Sequence, residues 1–92
     1  MITSYVSKPL KRLWEKEDGR FLNPQHVKKI EVILDALNIA STVAMMNTAG
    51  SKFHKLRGHN PARWSVQVNG NWCITFSFED GDAFAVDYRD RH

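Results

Sequence analysis

From Arg63 onward, apolar and polar residues alternate with a period of two. Trp64, Val66 and Val68 are set against Ser65, Gln67 and Asn69, and after Asn69-Gly70 the series Trp72, Ile74, Phe76 and Phe78 is set against Cys73, Thr75 and Ser77. Successive side chains of a strand point to opposite faces, so this pattern predicts strands with one apolar and one polar face. Asn69-Gly70 and Asp80-Gly81 tolerate the positive φ that two-residue hairpin turns require, which predicts an antiparallel meander. The next strand places Phe84, Val86 and Tyr88 on one face and Ala83, Ala85 and Asp87 on the other, and the chain stops four residues after Tyr88, at His92.

The first half carries the helical period instead. Ile2 to Val6, with Thr3 and Tyr5, favours an extended backbone. Ser7 can cap a helix with Pro9 in its first turn, Leu10, Leu13 and Trp14 at i, i+3 and i+4, and Gly19 as its stop. Asn23-Pro24 predicts a second start, because Asn is a preferred cap and Pro at the first helical position gives up only an N–H that has no partner there. Val27, Ile30, Leu34 and Leu37 then recur at helical spacing while Lys28, Lys29, Glu31 and Asp35 face away, so the apolar stripe is expected to cover the sheet. Ser41 to Met46 predicts a short helical turn, Asn47 to Ser51 a loop, Lys52 to Leu56 a short strand, and Gly58-His59-Asn60-Pro61 a further loop. The order β, α, α, β, β, β, β predicts an α+β fold with two N-terminal helices packed on a small antiparallel sheet.

A length of 92 residues, 42% apolar with three Trp and five Phe, fits a single domain over 1–92 with one filled core. The formal charge is +3 and the pI near 9.2, and the distribution matters more than the sum. No acidic residue falls between Asp35 and Glu79, whereas Lys52, Lys55, Arg57 and Arg63 all do. That segment fits either a polyanionic partner or a solvated basic loop. Cys73 is the single cysteine, which excludes an intrachain disulfide and fits a reducing, cytoplasmic compartment. The N-terminus MITSYVSKPLKRLWEK turns polar too soon for a signal peptide, and no apolar run approaches the roughly 20 residues of a membrane span. A soluble protein without a membrane partner is expected.

The candidate chemistry rests on His54, Lys55, Arg57 and His92, with Arg63, Arg89 and Arg91 in reserve. Cleaving RNA without a metal requires a base for the 2′-hydroxyl proton, a cation for the charge gathering on phosphate, and an acid for the leaving 5′-oxygen. Two histidines and an arginine can fill those roles, the arginine only as the cation. A cysteine nucleophile at Cys73 lacks any local signature, and a zinc site from His54, His59, His92 and Cys73 lacks a close-spaced ligand pair, so neither a metal nor a cofactor is expected. Cys73 does lie on the polar side of its strand, in register with Thr75 and Ser77.

Phe53-His54 to Arg57-Gly58, Trp64-Ser65-Val66, Val68 to Thr75, the helix opening Pro24-Gln25-His26 and the ending Asp87-Tyr88-Arg89-Asp90-Arg91-His92 together resemble the HigB toxins, or plasmid-maintenance killer proteins, of the RelE/ParE superfamily. The resemblance spans essentially the whole chain. It implies a RelE-like fold, two helices against a small twisted antiparallel sheet, and a ribosome-dependent mRNA endoribonuclease that cleaves without metal. Its implied partners are the ribosome, mRNA and a cognate helix-turn-helix antitoxin, with DNA engaged only through that antitoxin. Carried over by position, His54 stands at the family's catalytic histidine and His92 at its terminal one, while Arg57 stands where lysine is usual. Cys73 takes the place of a catalytic arginine in the usual Asn-Trp-Arg-Ile, and Arg91 that of a tyrosine. Lys52, Lys55, Arg63 and Arg89 are the expected RNA-binding cations. Losing one electrostatic donor to the transition state costs about 10² to 10³ in rate, so the resemblance leaves two readings, an active nuclease and a weakened member that mainly binds its antitoxin or the ribosome. The gyrase-poisoning branch of the superfamily suits the paired histidines less well.

Overall fold

A computed structural model describes residues 1–90, so the expectations placed on Arg91 and His92 lie outside the described residues. Helix α1 (Lys8–Lys16) starts as its sequence predicts. Ser7 Oγ accepts the Leu10 N–H at 3.3 Å, Pro9 sits in the first turn, and Leu10 and Leu13 are buried. It stops short of Gly19, because Glu17 adopts the left-handed conformation (φ 53°) and returns its N–H to the Leu13 carbonyl. Gly19 serves close packing instead: a Cβ there would lie 3.2 Å from Val27 Cγ2.

Helix α2 (Val27–Ile39) begins three residues beyond Pro24. Asn23 does accept the Gln25 N–H through its side chain, but its carbonyl also accepts the His26 N–H, closing a separate turn ahead of the helix. His26 therefore becomes the N-cap residue. Ile30, Ile33, Leu34 and Leu37 are buried and Lys28, Lys29, Glu31 and Asp35 exposed, which is the amphipathic division read from the sequence. A 3₁₀ turn over Val43–Met46 follows.

The sheet contains β1 (His54–Lys55), β2 (Arg63–Asn69), β3 (Trp72–Glu79) and β4 (Asp82–Asp90), in that spatial order and antiparallel throughout. The strand expected over Lys52 to Leu56 is reduced to its third and fourth residues, His54 and Lys55. Ile2 to Val6 lies parallel to β4 through bridges at Ile2–Ala83 and Tyr5–Val86, covering part of its outer edge. The second hairpin turn has positive φ at both Asp80 (51°) and Gly81 (81°), as a type I′ turn demands. The first sits one residue later than predicted. Asn69 pairs with Trp72, so the loop is Gly70-Asn71 with Gly70 at φ 57°.

Strand β4 departs from simple alternation. Thr75 pairs with Asp87 and Ser77 with Phe84, so two residues, Ala85 and Val86, oppose Phe76 alone, and Ala85 takes φ 51°. This bulge turns the strand over. Ala83 shares the face of Phe78, and Val86 and Tyr88 share that of Ile74 and Phe76, but Phe84 joins Ser77 on the opposite face. The expectation that Phe84, Val86 and Tyr88 share a face is thereby corrected.

The core lies between the helices and one sheet face, where Leu10, Ile30, Leu34 and Leu37 meet Ile74, Phe76, Ala83 and Val86, all fully buried. The polar face is buried as well: Ser65, Cys73, Thr75 and Ser77 are each no more than 3% exposed. Part of its cover is Arg63, which donates to Ser77 Oγ at 3.2 Å, Thr75 Oγ1 at 3.1 Å and the Ala85 carbonyl at 2.8 Å. Hydrogen bonding of this kind is what makes a buried polar layer tolerable.

Candidate active site

Strand register orders the polar face into rows. Residues directly opposite one another in antiparallel strands project to the same side. His54 pairs with Ser65, Ser65 with Thr75, and Thr75 with Asp87; beside this row run Gln67, Cys73 and Arg89. The two-residue strand β1 thus brings His54 to the face that carries Cys73, although 19 positions separate them in the chain.

The half-buried His54 ring is oriented by its own backbone neighbourhood. Its Nδ1 lies 2.9 Å from the Lys52 carbonyl oxygen. A carbonyl can only accept, so Nδ1 carries the hydrogen and, in the neutral ring, Nε2 keeps the lone pair. Lys52 itself stands in the left-handed region (φ 49°), a conformation costly for a residue with a Cβ.

Next to the polar rows opens a cleft of about 200 Å³ lined by Lys52, Gln67, Gly70, Asn71, Trp72 and Cys73. Among the described residues of that lining, Lys52 is the charged one. Cys73 is 2% exposed, and its thiol contributes to the wall rather than to the surface. Its cross-strand neighbour Arg89 is exposed, with Nη1 3.7 Å from Asp87 Oδ2.

The other expected residues fall in different places. Arg57 is exposed on the β1–β2 loop, where Lys55, Leu56, Arg57, Gly58, His59 and Asn60 line a separate hollow of about 430 Å³ that shares no lining residue with the cleft. Lys55 pairs with Trp64 and so projects to the side opposite His54. Arg63 lies against the polar face in the hydrogen bonds described above, and burial draws its guanidinium below the ordinary arginine range, with Asp87 opposing that shift and Arg89 adding to it. Among the described residues, no group of three or more His, Cys, Asp or Glu side chains is placed to hold a metal ion.

Sequence reading passed over one cluster. His26 is 4% exposed, and its Nδ1 shares a hydrogen bond of 2.6 Å with Tyr88 Oη. Trp72 stacks on Tyr88 with ring centroids 4.5 Å apart, and the His26 ring lies 6.1 Å from each. The available signal was a histidine at a helix start, where Ser, Thr, Asp or Asn would serve better as a cap.

A family model described as the RelE-like toxin of the type II toxin-antitoxin system HigB matches residues 3–92. The chain is also 38% identical over 92 residues to Endoribonuclease HigB of Proteus vulgaris, with 100% of both chains covered. An α+β fold of two helices on a four-stranded antiparallel sheet agrees with the RelE-like family. The chain belongs to the HigB family of RelE-like toxins of type II toxin-antitoxin systems, and membership implies an antitoxin as its partner. No helix among the described residues is long and apolar enough to cross a membrane.

Proposed function

We propose that this chain is a single-domain toxin that cleaves mRNA on the ribosome in the cytoplasm and is neutralised by a cognate helix-turn-helix antitoxin. The observation that carries the reading is His54, whose Nδ1 is engaged by the Lys52 carbonyl so that Nε2 is left to act as base, on the face that also holds Cys73 and Arg89. In the proposed step Nε2 takes the 2′-hydroxyl proton, the 2′-oxygen bonds to the adjacent phosphorus, and the bond from phosphorus to the 5′-oxygen breaks. The proton for the leaving oxygen is assigned to His92. Lys52 and Arg89, which flank Cys73, and Arg57 on its loop supply positive charge to the phosphate. Full-length similarity to an endoribonuclease supports this reading.

A second reading is favoured by Cys73. A buried thiol in the cleft wall offers the phosphate no guanidinium, which suits a protein whose main role is to bind its antitoxin or the ribosome. Mapping mRNA ends in a translating lysate, with and without this protein, separates the two. New ends that require ribosomes support the nuclease; their absence, with ribosome binding retained, supports the binding protein.

A further inference from the structure

The C-terminal end of β4 carries Arg89, one of the cations assigned to the phosphate in the proposed chemistry. The N-terminal segment bridges its outer edge at Ile2–Ala83 and Tyr5–Val86, and Asp87 to Asp90 lie beyond those bridges, in register with β3. Strand ends fray unless tied down. The hydrogen bond between His26 and Tyr88 falls on this stretch and ties it to α2, 62 positions away in sequence.

His26 is placed for that task rather than for capping. It occupies the N-cap position of α2, yet its side chain makes no cap hydrogen bond. The ring turns instead into the interior, against Tyr88 and Trp72. An apolar side chain would fill such a position without the cost of burying a polar ring, and that cost is offset only by a specific partner. Tyr88 is suited to be that partner, because its hydroxyl can donate to Nδ1 or accept from it, and burial, then the charge of Asp90, hold the phenol above its ordinary value. Trp72, stacked on Tyr88, is also opposite Asp90 in the strand register and lines the cleft. One ring cluster therefore joins the start of α2, the end of β4 and a wall of the candidate site.

We infer that His26 and Tyr88 are positioning residues, an anchor that fixes the C-terminal end of β4, and with it Arg89, beside the cleft. The inference rests on the nuclease reading for its consequence in catalysis and on geometry alone for the anchor. Tyr88→Phe keeps the stacked ring and removes only the hydroxyl. Losing one buried hydrogen bond is expected to raise amide exchange at Arg89 and Asp90 about tenfold while leaving the central Ile74 amide unchanged. In cleavage assays kcat is expected to fall about tenfold with KM within about twofold, since the anchor acts on placement of reacting groups and not on substrate affinity. His26→Leu is expected to behave as Tyr88→Phe does, and His26→Asn, whose amide keeps a hydrogen-bonding group near the position of Nδ1, to recover part of the loss. Exchange that stays at the wild-type level, or rises equally at Ile74, overturns the anchor; local exchange that rises with kcat unchanged overturns its role in positioning. A wild-type protein that cuts no RNA removes the nuclease reading, and the exchange measurement still decides the anchor.

Discussion

Arg63 reaches across the whole width of β3 to donate to the Ala85 carbonyl, at 2.8 Å. The bond joins β2 to the bulge in β4, and on the way the same guanidinium serves Thr75 and Ser77. A cation held in this way contributes to the fold before it contributes to RNA binding. Arg63→Met strands three acceptors, two of them on the buried Thr75 and Ser77, and is expected to lower unfolding stability by about 2–3 kcal/mol in urea titration. Unchanged stability combined with a reduced salt dependence of RNA binding would return Arg63 to the RNA-facing set.

Ala85 provides a test of the bulge itself. At φ 51° an alanine is strained by about 1 kcal/mol relative to glycine, which adopts that conformation freely. Ala85→Gly is therefore expected to stabilise the protein by up to about 1 kcal/mol, less what the unfolded chain gains in entropy. A loss of more than that amount in denaturant titration would mean that the alanine side chain holds the bulge.

Two tyrosines set the alkaline limit. Burial raises the phenols of Tyr5 and Tyr88, with Glu15 adding to the first and Asp90 to the second. A raised folded value means that the unfolded chain ionises first. Stability is then fully present below the ordinary phenol value near 10 and lost as pH rises through the folded values. The unfolding midpoint is expected to drop above about pH 10, and the drop to flatten in Tyr5→Phe and Tyr88→Phe. A decline of the same steepness in both variants would assign it to other groups.

Cys73 and Arg89 face each other across β3 and β4, so their contributions should be coupled. If Arg89 supplies charge that the thiol cannot, Arg89→Gln lowers cleavage sharply in the natural chain and only weakly in a Cys73→Arg background. Cys73→Arg alone is expected to raise cleavage by about 10² to 10³, the worth of one electrostatic donor. Additive effects in the four-way comparison would show that the two positions act independently.

The fold was legible where local chemistry and tertiary demand agree. Ser7 with Pro9 set the start of α1, the Ile30, Leu34 and Leu37 stripe set the buried face of α2, and Asp80-Gly81 set a turn. The discrepancies have non-local causes. The bulge at Ala85 puts an alanine in a conformation that nothing in its neighbours announces, and it is held by Arg63 from two strands away and by Ser4 Oγ, which accepts the Ala85 N–H. Polarity alternation in β3 was correct, but Cys73, Thr75 and Ser77 are buried because Arg63 and the surrounding chain cover a face that composition alone would assign to solvent. His54 stood out in the sequence as a titratable group in a cationic segment. The Lys52 carbonyl that fixes its ring, and the His26–Tyr88 pair, belong to backbone path and long-range packing, which periodicity does not encode.

The central claim is that His54 Nε2 is the base for RNA cleavage. Primer-extension mapping of mRNA ends in a translating lysate, comparing the natural chain with His54→Ala at equal folded concentration, tests it directly. The expected result is ribosome-dependent cuts with the natural chain and a loss of about 10² or more in cleavage rate with His54→Ala, at an unchanged unfolding midpoint. Cuts made at the same rate by His54→Ala would contradict the claim.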